Sequence, residues 1–255
     1  MKHPIAIAKN CFRRMLSWTE WRSEYFSLKC RKDKLVSRRP VLDAVYARER
    51  KLHEKLVQEI IALGGGEEEE RSLPGNPEFL ASGYSERMLE RYFAAGAVYC
   101  RGKDVLDTCS GVGWGTRILA EYAREVCAVE IDSVAISAAR NRWPCANIRW
   151  VKGNVLTWAD TRLYDVAIAM ESIEHFTKED GHCYMANLAS SLLPGGILIG
   201  SSAFPPSREE ADRLAAKNPF HLHIYTRSEM DALLDELFAE HAIVDDWMFF
   251  ARKAR

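Results

Sequence analysis

The chain has 255 residues, a hydrophobic content of 47 % and a formal net charge of −1, which suit one complete α/β core with an appendage. No apolar run approaches the length of a membrane span, and Pro4–Ala8 is too short for a signal-peptide core, so we expect a cytosolic protein. The seven cysteines are odd in number, scattered and without a C-x-x-C pair, which disfavours a disulfide framework or a zinc knuckle.

The first part of the chain is a basic arm. Residues 1–55 hold fifteen Lys and Arg against six Asp and Glu, whereas the remainder holds twenty against thirty. From Asn10 to Leu28, apolar residues recur at steps of three to five with basic residues between them, which predicts an amphipathic helix. Three roles stay open: packing on the main domain or a second subunit, peripheral contact of residues 1–40 with a membrane or another anionic partner, and, more weakly, nucleic-acid binding.

A second helix is predicted from Val41 to Leu63, followed by a run of glycines and glutamates that is typical of a linker. We therefore predict two parts. Residues 1–69 form a basic helical extension and an acidic linker, and residues 70–255 form the main domain.

The stretch Lys103–Thr116 predicts a strand, a tight turn and the start of a helix. Its apolar run ends on Asp107, and glycines follow at Gly111 and Gly113. Small residues in such a turn let the backbone approach a ligand, and the helix start offers unpaired N–H groups. The dinucleotide pattern G-x-G-x-x-G is broken at Thr116, and an acidic strand end suits an ammonium better than a diphosphate. We expect a ligand with a positive group; an ordinary strand–helix turn is the alternative.

This pattern resembles the first motif of the class I S-adenosylmethionine-dependent methyltransferases, acidic-x-Gly-x-Gly-x-Gly, with Cys109 in place of the first Gly. The resemblance covers about residues 70–255. It implies that S-adenosylmethionine is bound at Asp107, Cys109, Gly111 and Gly113. The implied fold is α/β: a Rossmann-like, doubly wound, seven-stranded sheet, mostly parallel with a C-terminal antiparallel hairpin, here with an N-terminal helical extension.

Two further strand ends supply candidate cofactor ligands. Glu130 ends the second predicted strand about twenty positions past the glycines, where an acidic residue accepts hydrogen bonds from ribose hydroxyls, and Ile131 lies beside it. After the third predicted strand come Asn154 and Val155. In the family an Asp or Asn there reaches the adenine amino group and the next residue packs on the ring, although an Asn in a loop is more often a turn former.

The fourth predicted strand, Tyr164–Met170, leads into Glu171, Glu174 and His175. Residues spaced by three and four share one face of a helical turn. Two carboxylates and an imidazole placed together in this way suit a divalent cation between them.

The E-x-x-E-H pattern is similar to that of two O-methyltransferase groups, the ubiquinone-pathway catechol enzymes and the small-RNA 2′-O-methyltransferases, where a later His completes a metal site. In this chain His221 takes that place, five residues before a Thr-Arg helix start, with His223 in reserve. The resemblance thus implies that Glu171, Glu174, His175 and His221 hold Mg²⁺, Mn²⁺, Fe²⁺ or Zn²⁺. Metal-free members also carry the motif, so an alternative stays open in which Glu171 contacts the methionyl end of the cofactor. His175, His221 and His223 are the candidate catalytic bases.

The remaining predicted elements complete an alternating α/β pattern in which Thr177 and Thr226 begin helices and residues 204–222 form a substrate-side loop. The predicted elements are the second strand Glu125–Ile131, a helix Val134–Arg142, the third strand Ile148–Val151, a helix to Leu193, the fifth strand Ile197–Ser201, a helix to Phe238, and closing strands His241–Val244 and Trp247–Ala251.

Together these features predict an S-adenosylmethionine-dependent O-methyltransferase. The favoured acceptor is a hydroxylated small molecule, in particular a sugar of a surface glycan or of a lipid-linked precursor. RNA 2′-O-methylation is the first alternative, because the basic arm permits it, and a non-catalytic cofactor-binding scaffold is the second. The sequence leaves the oligomeric state open.

Overall fold

The computed structural model describes residues 51, 52, 54–56, 58–60 and 81–255. The basic arm and its predicted amphipathic helix lie outside the described residues, as does the predicted domain boundary at residue 70. The described residues between 51 and 60 are helical, within the second predicted helix. Contacts divide the chain into two compact units, Met1–Leu56 and Val57–Arg255, and the second unit carries the sheet.

A seven-stranded sheet in the order β3-β2-β1-β4-β5-β7-β6 forms the centre of the second unit. Strands β1 to β5 are parallel, and β7 runs antiparallel to both β5 and β6. The predicted seven-stranded, mostly parallel sheet with a closing hairpin is therefore confirmed. The strands are β1 (Asp104–Thr108), β2 (Glu125–Glu130), β3 (Ile148–Lys152), β4 (Tyr164–Met170), β5 (Leu192–Ser201), β6 (Glu240–Val244) and β7 (Met248–Arg252).

Helices connect the strands and surround the sheet. They are α1 (Tyr84–Ala95), which continues into a π-helical turn (Gly96–Cys100), α2 (Trp114–Ala120), α3 (Ser133–Arg142), a short 3₁₀ helix (Ile173–His175), α4 (Lys178–Ser191), α5 (Arg208–Ala215) and α6 (Arg227–Leu237). In the part of the chain that is described, no helix combines the length and the apolar character needed to cross a bilayer.

Burial explains why the central strands read as apolar runs. Val105 in β1, Val126 in β2 and Ala167 in β4 expose 1 % of their surface or less. Strands of a parallel sheet are covered on both faces, so their residues are apolar almost without interruption. These strands consequently form the fixed base from which the loops at one edge project.

Side-chain caps confirm three predicted helix starts. Asp132, Thr177 and Thr226 each accept a hydrogen bond from a backbone N–H in the first turn of α3, α4 and α6. At α6 the side chain of Glu229 returns the bond, which completes a capping box. The caps fix the residue at which each of these three helices begins.

Two expectations for the second half of the chain are wrong. Residues 204–222 do not form a continuous loop, because Ser207 caps α5 by accepting a hydrogen bond from the N–H of Glu210 at 3.2 Å. The fifth strand begins at Leu192 and not after the Pro-Gly-Gly turn. A register shift against β4 and a left-handed Gly195 (φ 77°) let the chain pass through those residues without leaving the sheet.

The carboxyl ends of the parallel strands meet at one edge of the sheet, which we call the carboxyl edge. Asp107 near the end of β1, Glu130 at the end of β2 and Glu171 just after β4 all lie there. The turn between β6 and β7 reaches the same edge, since Met248 pairs with Ser201 at the end of β5. Open parallel sheets bind their ligands at this edge.

The glycine-rich turn after β1 depends on close packing at one position. Gly113 has a left-handed backbone (φ 80°), and a Cβ placed there would lie 2.3 Å from the ring of Trp150 in β3. Gly111 is also left-handed (φ 54°), but a Cβ there would have no other atom within 4 Å. Steric fit therefore requires glycine at 113, whereas 111 requires it only for its backbone angle.

The pair Gly113→Ala and Gly111→Ala tests this difference. Both substitutions strain a left-handed residue, which costs about 1 kcal/mol of unfolding free energy. Gly113→Ala must also displace Trp150, so we expect a loss of about 3 kcal/mol at that position. Urea denaturation of the full chain measures both values, and equal losses would contradict the packing role of Trp150.

Candidate active site

Asp107 is a buried carboxylate at the end of β1 with one oxygen left unsatisfied. It has no exposed surface, and its Oδ2 accepts a hydrogen bond from Thr116 Oγ1 at 2.5 Å. Its Oδ1 is buried and has no hydrogen-bond partner. Burial, opposed by the bond from Thr116 and aided by the charge of Glu130, raises the pKa of Asp107 to about 7. A cationic ligand group beside Oδ1 would satisfy this oxygen, as the sequence predicts for the cofactor ammonium.

Cys109 occupies the first glycine position of the motif in a left-handed conformation (φ 53°). The position therefore favours glycine for its backbone angle, and a cysteine there is strained by about 1 kcal/mol. Burial raises the pKa of its thiol well above the usual value, so the side chain is a neutral, packed group. It is small enough to keep the turn, but it is not a nucleophile.

A hydroxyl network joins the turn after β1 to the segment after β4. The hydroxyl of Tyr184 on α4 lies 2.6 Å from Thr108 Oγ1 and 3.1 Å from Ser172 Oγ. Tyr184 has no exposed surface, so these bonds form in a low-dielectric interior where they are strong. The network therefore fixes the turn after β1 relative to the segment after β4.

Glu130 holds the glycine-rich turn against β2. Its Oε2 accepts a hydrogen bond from the N–H of Gly111 at 2.9 Å. Its Oε1 accepts bonds from the N–H groups of Ile131 at 2.9 Å and Asp132 at 3.0 Å. A carboxylate offers about four acceptor positions, and three are used here. The predicted ribose contact of Glu130 stays a prediction. The sugar hydroxyls would have to share the carboxylate with these backbone N–H donors or displace them.

The other predicted cofactor ligands lie around the same edge. Ile131, beside Glu130, is 61 % exposed, so its apolar surface is accessible. Asn154 uses its Oδ1 to accept a hydrogen bond from the N–H of Leu156 at 3.0 Å, which is the turn-forming role. Val155 is buried in the core. The adenine contacts of Asn154 and Val155 stay predictions.

Glu171 does not share a helical face with Glu174 and His175, so that expectation is wrong. Its backbone is left-handed (φ 44°), which ends any helical path before the 3₁₀ helix begins. Its Oε1 instead accepts hydrogen bonds from Ser201 Oγ at 2.6 Å and Arg91 Nη1 at 3.1 Å. Glu171 is thus a paired carboxylate between α1 and β5.

Three of the four predicted metal ligands come together. Glu174, His175 and His221 place ligand atoms within 4.8 Å of one another, and we call them the Glu-His-His cluster. The carbonyl oxygen of Glu174 accepts the N–H of Leu222 at 2.8 Å, which brings the loop of His221 to this place. His175 Nδ1 lies 3.2 Å from the carbonyl oxygen of Phe220. Glu171 is not a member of the cluster.

The cluster joins two imidazoles to one carboxylate. A carbonyl oxygen only accepts, so Nδ1 of His175 is the donor to Phe220. Burial, together with the neighbouring His175, lowers the pKa of His221 to about 4, so its ring is neutral at pH 7, and its Nε2 lies 3.0 Å from the amide nitrogen of Asn218. Two imidazoles and a carboxylate are ligands that suit Zn²⁺, Fe²⁺ or Mn²⁺, and without a metal an imidazole suits a general base.

His223, the reserve ligand and candidate base, lies beside the cluster without belonging to it. Its backbone N–H donates to the carbonyl oxygen of Glu174 at 3.3 Å. Its Nε2 is 3.9 Å from Glu229 at the start of α6, and its ring packs edge-on against Tyr225. Burial, aided by Arg208, lowers its pKa.

Sequence reasoning missed Arg91, Ser201 and Trp247, which lie around Glu171. Arg91 comes from α1, forms an ion pair with Glu171 and lies 5.7 Å from the centre of the Trp247 ring. These contacts join residues from distant parts of the chain, and no local spacing reveals them. The available signal was an arginine next to the apolar residues Tyr92 and Phe93 in α1, which also contains Arg87.

Known proteins are similar to this chain in sequence and in fold. Residues 105–196 match the family described as a methyltransferase domain. A probable S-adenosylmethionine-dependent methyltransferase of Mycolicibacterium smegmatis is 29 % identical over 65 % of this chain and 62 % of its own length. One of Mycobacterium tuberculosis is 30 % identical over 53 % of this chain and 48 % of its own. The structure of N-methyltransferase NodS from Bradyrhizobium japonicum with S-adenosylhomocysteine has a TM-score of 0.54 at 19 % identity, covering 78 % and 96 % of the two chains.

Residues 105–196 are thus similar to a methyltransferase domain, and the similar proteins are S-adenosylmethionine-dependent. The unsatisfied Oδ1 of Asp107 and the open space beside Gly111 fit the binding of this cofactor at the predicted place. The chain spans about three fifths of the first relative and about half of the second.

The ionisation of Asp107 predicts how affinity for S-adenosylmethionine changes with pH. We expect only the carboxylate form to bind the ammonium, and burial raises the pKa of Asp107 to about 7. Lowering the pH from 7 to 5.5 protonates Asp107, so affinity for S-adenosylmethionine should fall about tenfold. Calorimetric titration should detect proton release on binding near pH 6.

Asp107→Asn should bind the cofactor more weakly at pH 7 and lose this pH dependence. The matched control is Asp104→Asn at the opposite end of β1, where the bond to Arg124 holds the pKa of Asp104 below its usual value. Asp104→Asn should keep the wild-type profile. If the affinity of Asp107→Asn for S-adenosylmethionine still fell as the pH was lowered, Asp107 would be ruled out as the titrating group.

Proposed function

We propose that the chain transfers the methyl group of S-adenosylmethionine to a hydroxyl oxygen of a sugar or another hydroxylated small molecule. The observation that carries this proposal is the Glu-His-His cluster. It follows β4 at the carboxyl edge, the edge where Asp107 and Glu130 lie. An acceptor hydroxyl placed between the cluster and the cofactor has the imidazoles of His175 and His221 within reach.

Methyl transfer from a sulfonium is an in-line displacement in which an O–C bond forms and an S–C bond breaks. The protein has to orient the acceptor oxygen and take its proton. Without a metal His175 is the proposed base, because it lies in the cluster and the carbonyl of Phe220 fixes its ring through Nδ1. A divalent ion held by Glu174, His175 and His221 would instead lower the pKa of the acceptor hydroxyl; both histidines would then act as ligands, and His223 would be the base.

RNA 2′-O-methylation is the alternative, since a ribose hydroxyl needs the same chemistry. Residues 1–40, which are rich in Lys and Arg, lie outside the described part of the chain. Their charge favours binding either to RNA or to an anionic membrane. Labelled-methyl transfer to oligosaccharides and to short RNA distinguishes the acceptors. Replacing Arg13, Arg14 and Arg22 by Gln should weaken retention on anionic vesicles if the arm docks there.

The proposed base is tested by His175→Gln. We expect at least about a hundredfold loss of methyl transfer with unchanged affinity for S-adenosylhomocysteine, because the substitution removes proton acceptance and leaves the cofactor site. His182→Gln is the control: His182 is an exposed histidine on α4 that pairs with Glu236. Full activity in His175→Gln would exclude His175 as the base.

Chelation tests the metal. If the cluster holds an ion, EDTA should abolish turnover, and one divalent ion should restore it in wild type but not in His221→Ala. Turnover that persists after exhaustive EDTA treatment would remove the ion from the proposal and leave His175 as a base without a metal.

A further inference from the structure

The turn between β6 and β7 presents an exposed tryptophan at the carboxyl edge. Asp245 and Asp246 both adopt left-handed conformations (φ 52° and 56°), and Trp247 follows with 46 % of its surface exposed. Two bonds tie the turn to the segment after β5. The N–H of Phe204 donates to the carbonyl of Asp246 at 2.8 Å, and the N–H of Ser202 donates to that of Trp247 at 3.1 Å. Hydrogen bonds therefore hold the backbone that carries the Trp247 ring.

Contacts link this ring to the strand end where the methyl group is expected. The guanidinium of Arg91 lies 5.7 Å from the ring centre, and Arg91 also pairs with Glu171 at 3.1 Å. Glu171 in turn accepts a hydrogen bond from Ser201 at the end of β5. Trp247 is thus adjacent to the groups that surround the end of β4.

Trp247 shares its surroundings with some exposed apolar residues and not with others. Ile131, Phe220 and Leu222 are exposed near the carboxyl edge as well, whereas Leu163 and Leu193 are exposed at the start of β4 and β5, at the opposite edge of the sheet. Singly exposed apolar residues are common and need no functional explanation. An exposed tryptophan that is fixed by backbone bonds and lies beside a candidate reaction site does call for one.

We propose that the exposed face of Trp247 is the platform on which a pyranose ring of the acceptor stacks. This inference rests on the proposed function and specifies its acceptor class. The C–H face of a pyranose covers an indole ring, while its hydroxyls point outward to charged groups, here Asp245 and Arg91. A fused aromatic acceptor would instead need an enclosed apolar cleft, and an open turn bordered by charges is not one.

The test compares Trp247→Ala, Trp247→Phe and the control Leu163→Ala in the full-length protein. The probes are neutral glucose, mannose and galactose oligosaccharides in the presence of saturating S-adenosylhomocysteine, with binding followed by saturation-transfer NMR and calorimetry. We expect Trp247→Ala to weaken oligosaccharide binding about tenfold, and Trp247→Phe to retain most of it. Leu163→Ala should match wild type, and all three should bind S-adenosylhomocysteine as wild type does.

In turnover with a bound oligosaccharide, Trp247→Ala should raise KM and leave kcat nearly unchanged, since the ring holds the acceptor without touching the reacting atoms. The inference is overturned if Trp247→Ala binds oligosaccharides as wild type does, or if wild type binds none of them. It is also overturned if Trp247→Ala loses S-adenosylhomocysteine, because the ring would then belong to the cofactor site. Failure of wild type to bind S-adenosylhomocysteine would instead refute the proposed function itself.

Discussion

The buried carboxylate of Asp107 is the constraint on which the cofactor site depends. A carboxyl group without exposed surface is disfavoured in its charged form, and here only Oδ2 is stabilised, by Thr116. Glu130, at the neighbouring strand end, raises the pKa of Asp107, yet three backbone N–H groups satisfy its own oxygens. The two acids therefore differ in role. Glu130 stabilises the turn, and Asp107 holds an unsatisfied oxygen that a cationic ligand can satisfy.

The strand ends were predictable from sequence because each depends on local pattern. Parallel strands buried on both faces give continuous apolar runs, and the polar residue that ends a run marks the carboxyl edge. Asp107 and Glu130 were placed in this way, and the sheet confirms their positions. Caps such as Thr226 with Glu229 were predictable for the same reason, since the interaction lies within one helical turn.

The spacing of Glu171, Glu174 and His175 was a weaker guide because it assumed a helix. The left-handed backbone at Glu171 turns its side chain toward partners far away in the sequence, Arg91 and Ser201, and no local pattern encodes such pairs. The cluster forms nonetheless, because the carbonyl of Glu174 binds the loop of His221. Spacing thus brought Glu174 and His175 together on an incorrect local geometry, and His221 was found only through the resemblance to the O-methyltransferases.

The antiparallel hairpin explains how residues near the end of the chain reach the site. If β7 ran parallel to β5, it would begin at the opposite edge of the sheet. The turn before it would then lie far from the carboxyl ends of β1 and β4. Because β7 runs against β5, its first residue, Met248, pairs with the last residue of β5, Ser201, and the preceding turn lies at the carboxyl edge. The direction of this one strand brings Trp247 close to Arg91 and, through it, to Glu171. The cofactor side of the domain is therefore built from the parallel strand ends, and the proposed acceptor side from α1, the loop of His221 and the closing hairpin.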